Sequence, residues 1–239
     1  MASRRSYSSY NDGCAAAHAL DLIGERWTLI VVRELLLGPK RFADLQRDVL
    51  GISPTVLSQR LRDLESRGIV ERHTLPAPAR VDVYELTEWG SRLEAVNAAL
   101  SLWAVASPDL PWDADMSPDT LVLAMRAHAR GDVELTQPAR INLRLTDSRL
   151  PNAEPVSYVA SVTPELTTIE KAPSPGPVDA EVVATTASWK ACILGGVSLD
   201  DQADATATGS DAAIEALIRA TRLEAAPEAP SSRSMVGNG

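Results

Sequence analysis

Thr55, Ser58, Gln59, Arg62 and Ser66 lie on one arc of a segment whose other arc carries Leu57, Leu61 and Leu64. At 100° per residue the leucines form a stripe that has to be buried, which turns the hydrogen-bonding set outward. Arg and Gln can each form paired hydrogen bonds to a purine edge, and hydroxyls can bond to bases or phosphates. The chemistry on offer is non-covalent reading of a nucleic-acid groove. Ser53 supplies a helix cap and Pro54 a first helical position where a missing N–H costs nothing, so Ser53 joins the face at its leading end. The competing reading is an ordinary solvated helix face, and what flanks the segment decides between them.

Further cations point the same way. Arg80 follows Pro78 at the tip of a Pro-bounded hairpin, placed to enter a minor groove or meet phosphate; the alternative is a common turn arginine. Lys40 and Arg41 precede a helix and are expected to anchor phosphate, with plain surface charge as the alternative. Arg60 and Arg67 flank the leucine stripe and should pair locally or touch phosphate. Cys14 lies at a helix start, which lowers a thiol pKa, with Arg4 and Arg5 upstream. An activated thiol is one reading of it, and a buried, inert thiol is the other. Cys14 and His18 are too few ligands for a structural zinc site, so no metal is expected. His18, His73 and His128 fall in separate elements, and neither a phosphate-cradling glycine loop nor a GxSxG elbow occurs. No enzyme and no cofactor are expected.

The positioning elements read clearly. Helices are predicted over 14–23, 26–37 (stopped by Gly38-Pro39) and 42–49, the last followed by a turn at Gly51. The Ser53-capped helix ends at Gly68, and strands over 69–75 and 81–87 form the hairpin. A long helix over 88–106 carries Leu93, Val96, Leu100 and Trp103 at 3-4 spacing, a stripe suited to a dimer seam or to packing on the rest of the chain. The order is that of a winged helix-turn-helix.

With 239 residues the chain is long enough for two domains. Its net charge of −9 is unevenly spread: residues 26–80 hold 10 basic against 6 acidic side chains, whereas residues 113–239 hold 10 against 18. Phosphate contact needs a local positive face rather than a basic whole. Neither a leader nor a long apolar run is read, and two distant cysteines give no disulfide framework, so a cytoplasmic protein without membrane contact is expected.

The stretch from Asp21 to Arg72 resembles the HxlR family of bacterial winged-helix transcription regulators. The matching pieces are Gly24, Trp27-Thr28-Leu29, Arg33-Glu34-Leu35, Gly38-Pro39, Arg41-Phe42, Gly51-Ile52-Ser53, Arg60-Leu61-Arg62, Leu64-Glu65 and Gly68, then Tyr84 and Leu86-Thr87. A cysteine ahead of the first helix, here Cys14, also fits. The resemblance implies a homodimer on double-stranded, inverted-repeat operator DNA, sealed by the first and last helices of the domain; some members respond to oxidants or electrophiles through that cysteine.

The expected organisation is an arm (1–13), the winged helix-turn-helix (14–106), a Pro-rich linker (107–116), an α+β domain (117–224) and a disordered tail (225–239). The overall class is α+β. In the second half a Ser117-capped helix to Gly131 precedes strands over 140–146, 156–162, 166–170 and 180–185, a helix over 187–194, a strand over 205–208 and a Ser210-capped helix. An antiparallel sheet covered by helices is expected. ARINLRL, AEVVATTASWKACILGG and ATATGSDAAIEALIRA resemble the sterol-carrier-protein type 2 fold, which implies an apolar tunnel lined by Leu121, Met125, Trp189, Ile193 and Leu194. The function expected is a homodimeric repressor, modulated by a small apolar ligand or through Cys14; a protein-binding adaptor that never touches DNA is the other class.

Overall fold

The computed structural model describes residues 9–223. Residues 1–8 and 224–239 lie outside it, so Arg4, Arg5 and the tail reading are outside the described residues.

The first half runs α1 (Ala15–Ile23), α2 (Thr28–Leu35), α3 (Phe42–Asp48) and α4 (Pro54–Ser66), then β1 (Val70–Thr74) and β2 (Asp82–Leu86). Val31, Leu35, Leu45, Leu57, Leu61 and Leu64 meet in one buried cluster, as the periodicity of α4 requires. Gly51 takes φ +85° in the turn between α3 and α4, a conformation glycine adopts without a Cβ penalty. β1 and β2 pair antiparallel, Val70 opposite Leu86 through Thr74 opposite Asp82, and Lys40 bridges to Tyr84 on the far edge of β2.

The long helix expected over 88–106 is two pieces, α5 (Glu88–Ser91) and α6 (Leu93–Ala104). Thr87 caps α5 through a hydrogen bond from Gly90 N. A Cβ on Gly90 would lie 2.0 Å from the Ile69 carbonyl oxygen, so only glycine lets this first turn seat against the start of the wing.

The second half opens with α7 (Pro118–His128), whose N-terminus is capped by Ser117 Oγ accepting from Thr120 N. A five-stranded sheet follows: β3 (Ala139–Thr146), β4 (Val156–Val162), β5 (Thr167–Lys171), β6 (Ala180–Thr185) and β7 (Ala205–Gly209), in the order β5-β4-β3-β6-β7. α8 (Thr186–Gly195) and α9 (Asp211–Thr221) complete the layer. Alternate residues Ile141, Leu143, Leu145, Tyr158, Ala160 and Val182 face α7, α8 and α9 in a second buried cluster. The α+β architecture is as expected, but the sheet is mixed: β3 and β6 run parallel, Ile141 opposite Ala180. The segment between β5 and β6 crosses over instead of making a hairpin, a choice that strand periodicity alone does not encode.

Candidate nucleic-acid interface

α4 is held by its leucines and by both ends. Ser53 Oγ accepts from Val56 N at 3.3 Å, and Arg67 Nη1 donates to the Leu22 carbonyl, tying the last turn to α1. On the outward arc Thr55, Gln59, Arg62 and Ser66 are exposed and Ser58 is half-buried. Arg62 Nη2 donates to Gln59 Oε1 at 2.9 Å, and Gln59 Nε2 donates to Asp63 Oδ1 at 2.7 Å. This relay orders the guanidinium along the helix while its other donors face solvent. Arg60 pairs locally with Asp63 at 3.4 Å and Glu25 at 3.6 Å, the local alternative foreseen for it.

At the wing tip Arg80 is exposed with φ +41°. On the shaft below, Arg72 pairs with Asp82 at 2.6 Å. Arg41 is exposed at the N-cap of α3 and makes no ion pair among the described residues.

Lys40 departs from expectation. Its side chain is 9% exposed and its ammonium lies 2.9 Å from Glu34, 2.8 Å from Asp48 and 2.8 Å from Asp119. It is not a phosphate anchor; it is the centre of a buried ion cluster joining α2, α3 and α7. Burial alone would depress the ammonium pKa, but the three carboxylates outweigh it and hold the value above the ordinary range. Asp119 also accepts from Tyr158 Oη at 2.6 Å and Lys171 Nζ at 3.0 Å. Desolvation opposes its ionisation, yet Lys40 and Lys171 keep its pKa lowered. Thr120 Oγ1 donates to Glu34 at 2.9 Å, a further link across the junction. Much of the cluster comes from the second half of the chain, so no local pattern announces it.

Along α6, Leu93 packs partly onto the winged-helix core, whereas Val96, Leu100 and Trp103 are 39%, 45% and 79% exposed. The other flank of α6 lies on α7, where Glu94 meets Arg126 at 2.6 Å. One face of this helix packs on the rest of the chain, and another is left bare and apolar.

Cys14 is exposed rather than buried and forms the N-cap of α1. The backbone amides of Ala17 and then Ala16, in the first turn of α1, favour the thiolate and lower its pKa below the usual thiol value.

Four of the five residues expected to line a tunnel are packed core. Leu121, Met125, Trp189 and Ile193 are fully buried packing, with Trp189 Nε1 donating to Met125 Sδ at 3.3 Å. Leu194 is half-buried against the same core. The roughly 640 Å³ cavity at the domain junction is instead walled by charged and proline residues, among them Asp48, Asp119, Lys171, Pro118 and Pro151.

Two packed helices, a glycine turn, a capped helix with an outward polar arc and a two-stranded wing define a winged helix-turn-helix of the DNA-binding regulator class. The sequence profile of the HxlR-like helix-turn-helix family matches residues 22–109. The HTH-type transcriptional regulator YodB of Bacillus subtilis (strain 168) is 41% identical over 87 residues, spanning 36% of this chain and 77% of that protein. The chain belongs to the HxlR-like family. Among solved structures, quinone-bound YodB from B. subtilis is 36% identical with a TM-score of 0.33, covering 37% of this chain and 93% of that one. The oxidised form of the redox regulator HypR is 32% identical with a TM-score of 0.38, covering 41% of this chain and 100% of that one. These matches leave most of the second half uncovered. Among the described residues no helix is long and apolar enough to cross a membrane.

Proposed function

We propose that the chain is a homodimeric transcriptional repressor that reads an inverted-repeat duplex. The observation that carries this is the outward arc of α4, where Arg62 and Gln59 stay exposed while the leucines opposite are wholly buried. Each α4 enters a major groove with Arg62 and Gln59 on base edges, Thr55, Ser58 and the Ser53 end on bases or phosphates, and Arg41 on the backbone. The Arg80 wing meets phosphate or the minor groove. Val96, Leu100 and Trp103 supply an apolar seam that sets the two reading helices about 34–36 Å apart.

The test is a salt titration of binding to the promoter of the chain's own gene. Contact with several phosphates predicts a steep log–log loss of affinity between about 50 and 200 mM salt. A flat dependence would instead indicate apolar protein docking. Trp103→Asp should convert a dimer to a monomer in sedimentation and weaken operator binding with it; an unchanged dimer removes α6 from the seam.

A second reading is favoured by the exposed thiol of Cys14, held below its usual pKa by the first turn of α1. Cys14 senses electrophiles or oxidants, and its modification changes DNA affinity. Diamide or a quinone should alter binding of the wild type and leave Cys14→Ser unaffected. An equal response in both would remove Cys14 from the mechanism.

A further inference from the structure

The wing carries a second set of side chains that reading DNA does not use. Glu71 on β1 stands directly opposite Glu85 on β2, and His73 follows two residues after Glu71 on the same face of the ribbon. One ligand atom from each of the three lies within 4.8 Å of the other two, and His73 Nε2 is 3.5 Å from Glu85 Oε2. All three side chains are accessible: Glu71 is exposed, and His73 and Glu85 are 38% and 40% exposed.

Like charges placed opposite each other across a strand pair destabilise it. The ribbon's other face shows how this chain otherwise treats a carboxylate: Asp82 takes a guanidinium from Arg72 at 2.6 Å and a hydroxyl from Thr74 at 2.7 Å. Glu71 and Glu85 have no such permanent cation; among the described residues neither is ion-paired to a lysine or arginine, and one imidazole lies between them. Two carboxylates and an imidazole form a donor set that suits a borderline divalent ion. Ligand atoms bound at about 2.1 Å in tetrahedral geometry are about 3.4 Å apart, so small rotations of three accessible side chains close the set.

We propose that the wing binds one Zn2+ through His73, Glu71 and Glu85, with water completing the shell. The ion cancels two negative charges on an element that approaches phosphate and staples β1 to β2 behind Arg80. Tighter duplex binding in the presence of zinc is the expected consequence, and that half of the proposal rests on the DNA-reading function.

The experiment is calorimetric titration of the full chain with ZnCl2 and no DNA, with the visible absorption of bound Co2+ as a second probe. One wing ion per chain is expected. His73→Ala, Glu71→Gln and Glu85→Gln should each weaken binding at least about tenfold, since even an outer-shell partner is worth that much to a metal site. Circular dichroism checks that these surface variants keep the fold. The double variant Cys14→Ser/His18→Ala should bind as the wild type does. Zinc binding unchanged in His73→Ala, or absent from the wild type at millimolar metal, overturns the site. Duplex affinity measured with and without zinc is a separate readout: zinc that binds without raising affinity rejects the coupling alone. The metal titration contains no DNA, so it decides the site even for a chain that binds no duplex.

Discussion

Arg62 and Lys40 stand 22 positions apart in one small domain and meet opposite fates. Arg62 lies opposite a leucine stripe, so burying the stripe pushes its guanidinium into solvent, where its one partner among the described residues is the neutral Gln59. Lys40 sits on a short connection folded beneath the second half of the chain, where Glu34, Asp48 and Asp119 consume its charge. Helical periodicity fixes the outcome for the first cation and tertiary packing fixes it for the second. A cation count over 26–80 therefore overstates the charge available to phosphate.

The largest expected effect tests the buried side of this contrast. Lys40→Met leaves three carboxylates without their common cation and should cost about 3–5 kcal/mol of unfolding free energy. Chemical denaturation measures it; a loss near zero would mean that the cluster is well hydrated. The next effect follows from acid. Asp119 titrates lower in the folded chain than unfolded, so its contribution is fully present above the unfolded value of about 3.9 and disappears as pH falls through the lowered folded value. Stability should fall below about pH 4, and Asp119→Asn, already weakened at neutral pH, should show a shallower acid limb. An identical limb in both proteins would move the titration elsewhere.

Smaller effects sharpen the exposed side. Ser53→Ala removes the cap of α4 and should cost about 1 kcal/mol of stability, with a larger fractional loss of duplex affinity as the leading turn frays. Equal affinity would remove that end of α4 from the contact. Arg80→Ala should weaken all duplex sequences alike and reduce the salt slope by about 1. A loss confined to one sequence would make Arg80 a base reader.

How much of the molecule is legible in its sequence varies with the range of the interaction involved. α4 is nearly complete in its own residues, because Ser53, Pro54 and the leucine spacing all act within a few positions. The strands β4 and β6 are readable for the same reason, by alternation ending at turn residues. The close seat of Gly90 on the Ile69 carbonyl is a contact between elements. The parallel pairing of β3 with β6 depends on a crossover, and the ion cluster on α7 and β5 reaching back to α3. The expected tunnel residues share their apolarity with any lined cavity, and packing makes them core. Glu71, His73 and Glu85 escape a reading of the sequence because their meeting depends on hairpin register; His73 two residues after Glu71 is the only local signal.

DNA reading by this chain stands or falls on the outward arc of α4. A duplex site selected from a random library, bound to wild type and Arg62→Ala, tests it directly when unfolding free energies are measured beside it. The expected result is an affinity loss of about 1–3 kcal/mol with relaxed sequence choice, while stability stays within about 0.5 kcal/mol. Unchanged affinity and unchanged sequence preference in a folded Arg62→Ala would contradict it.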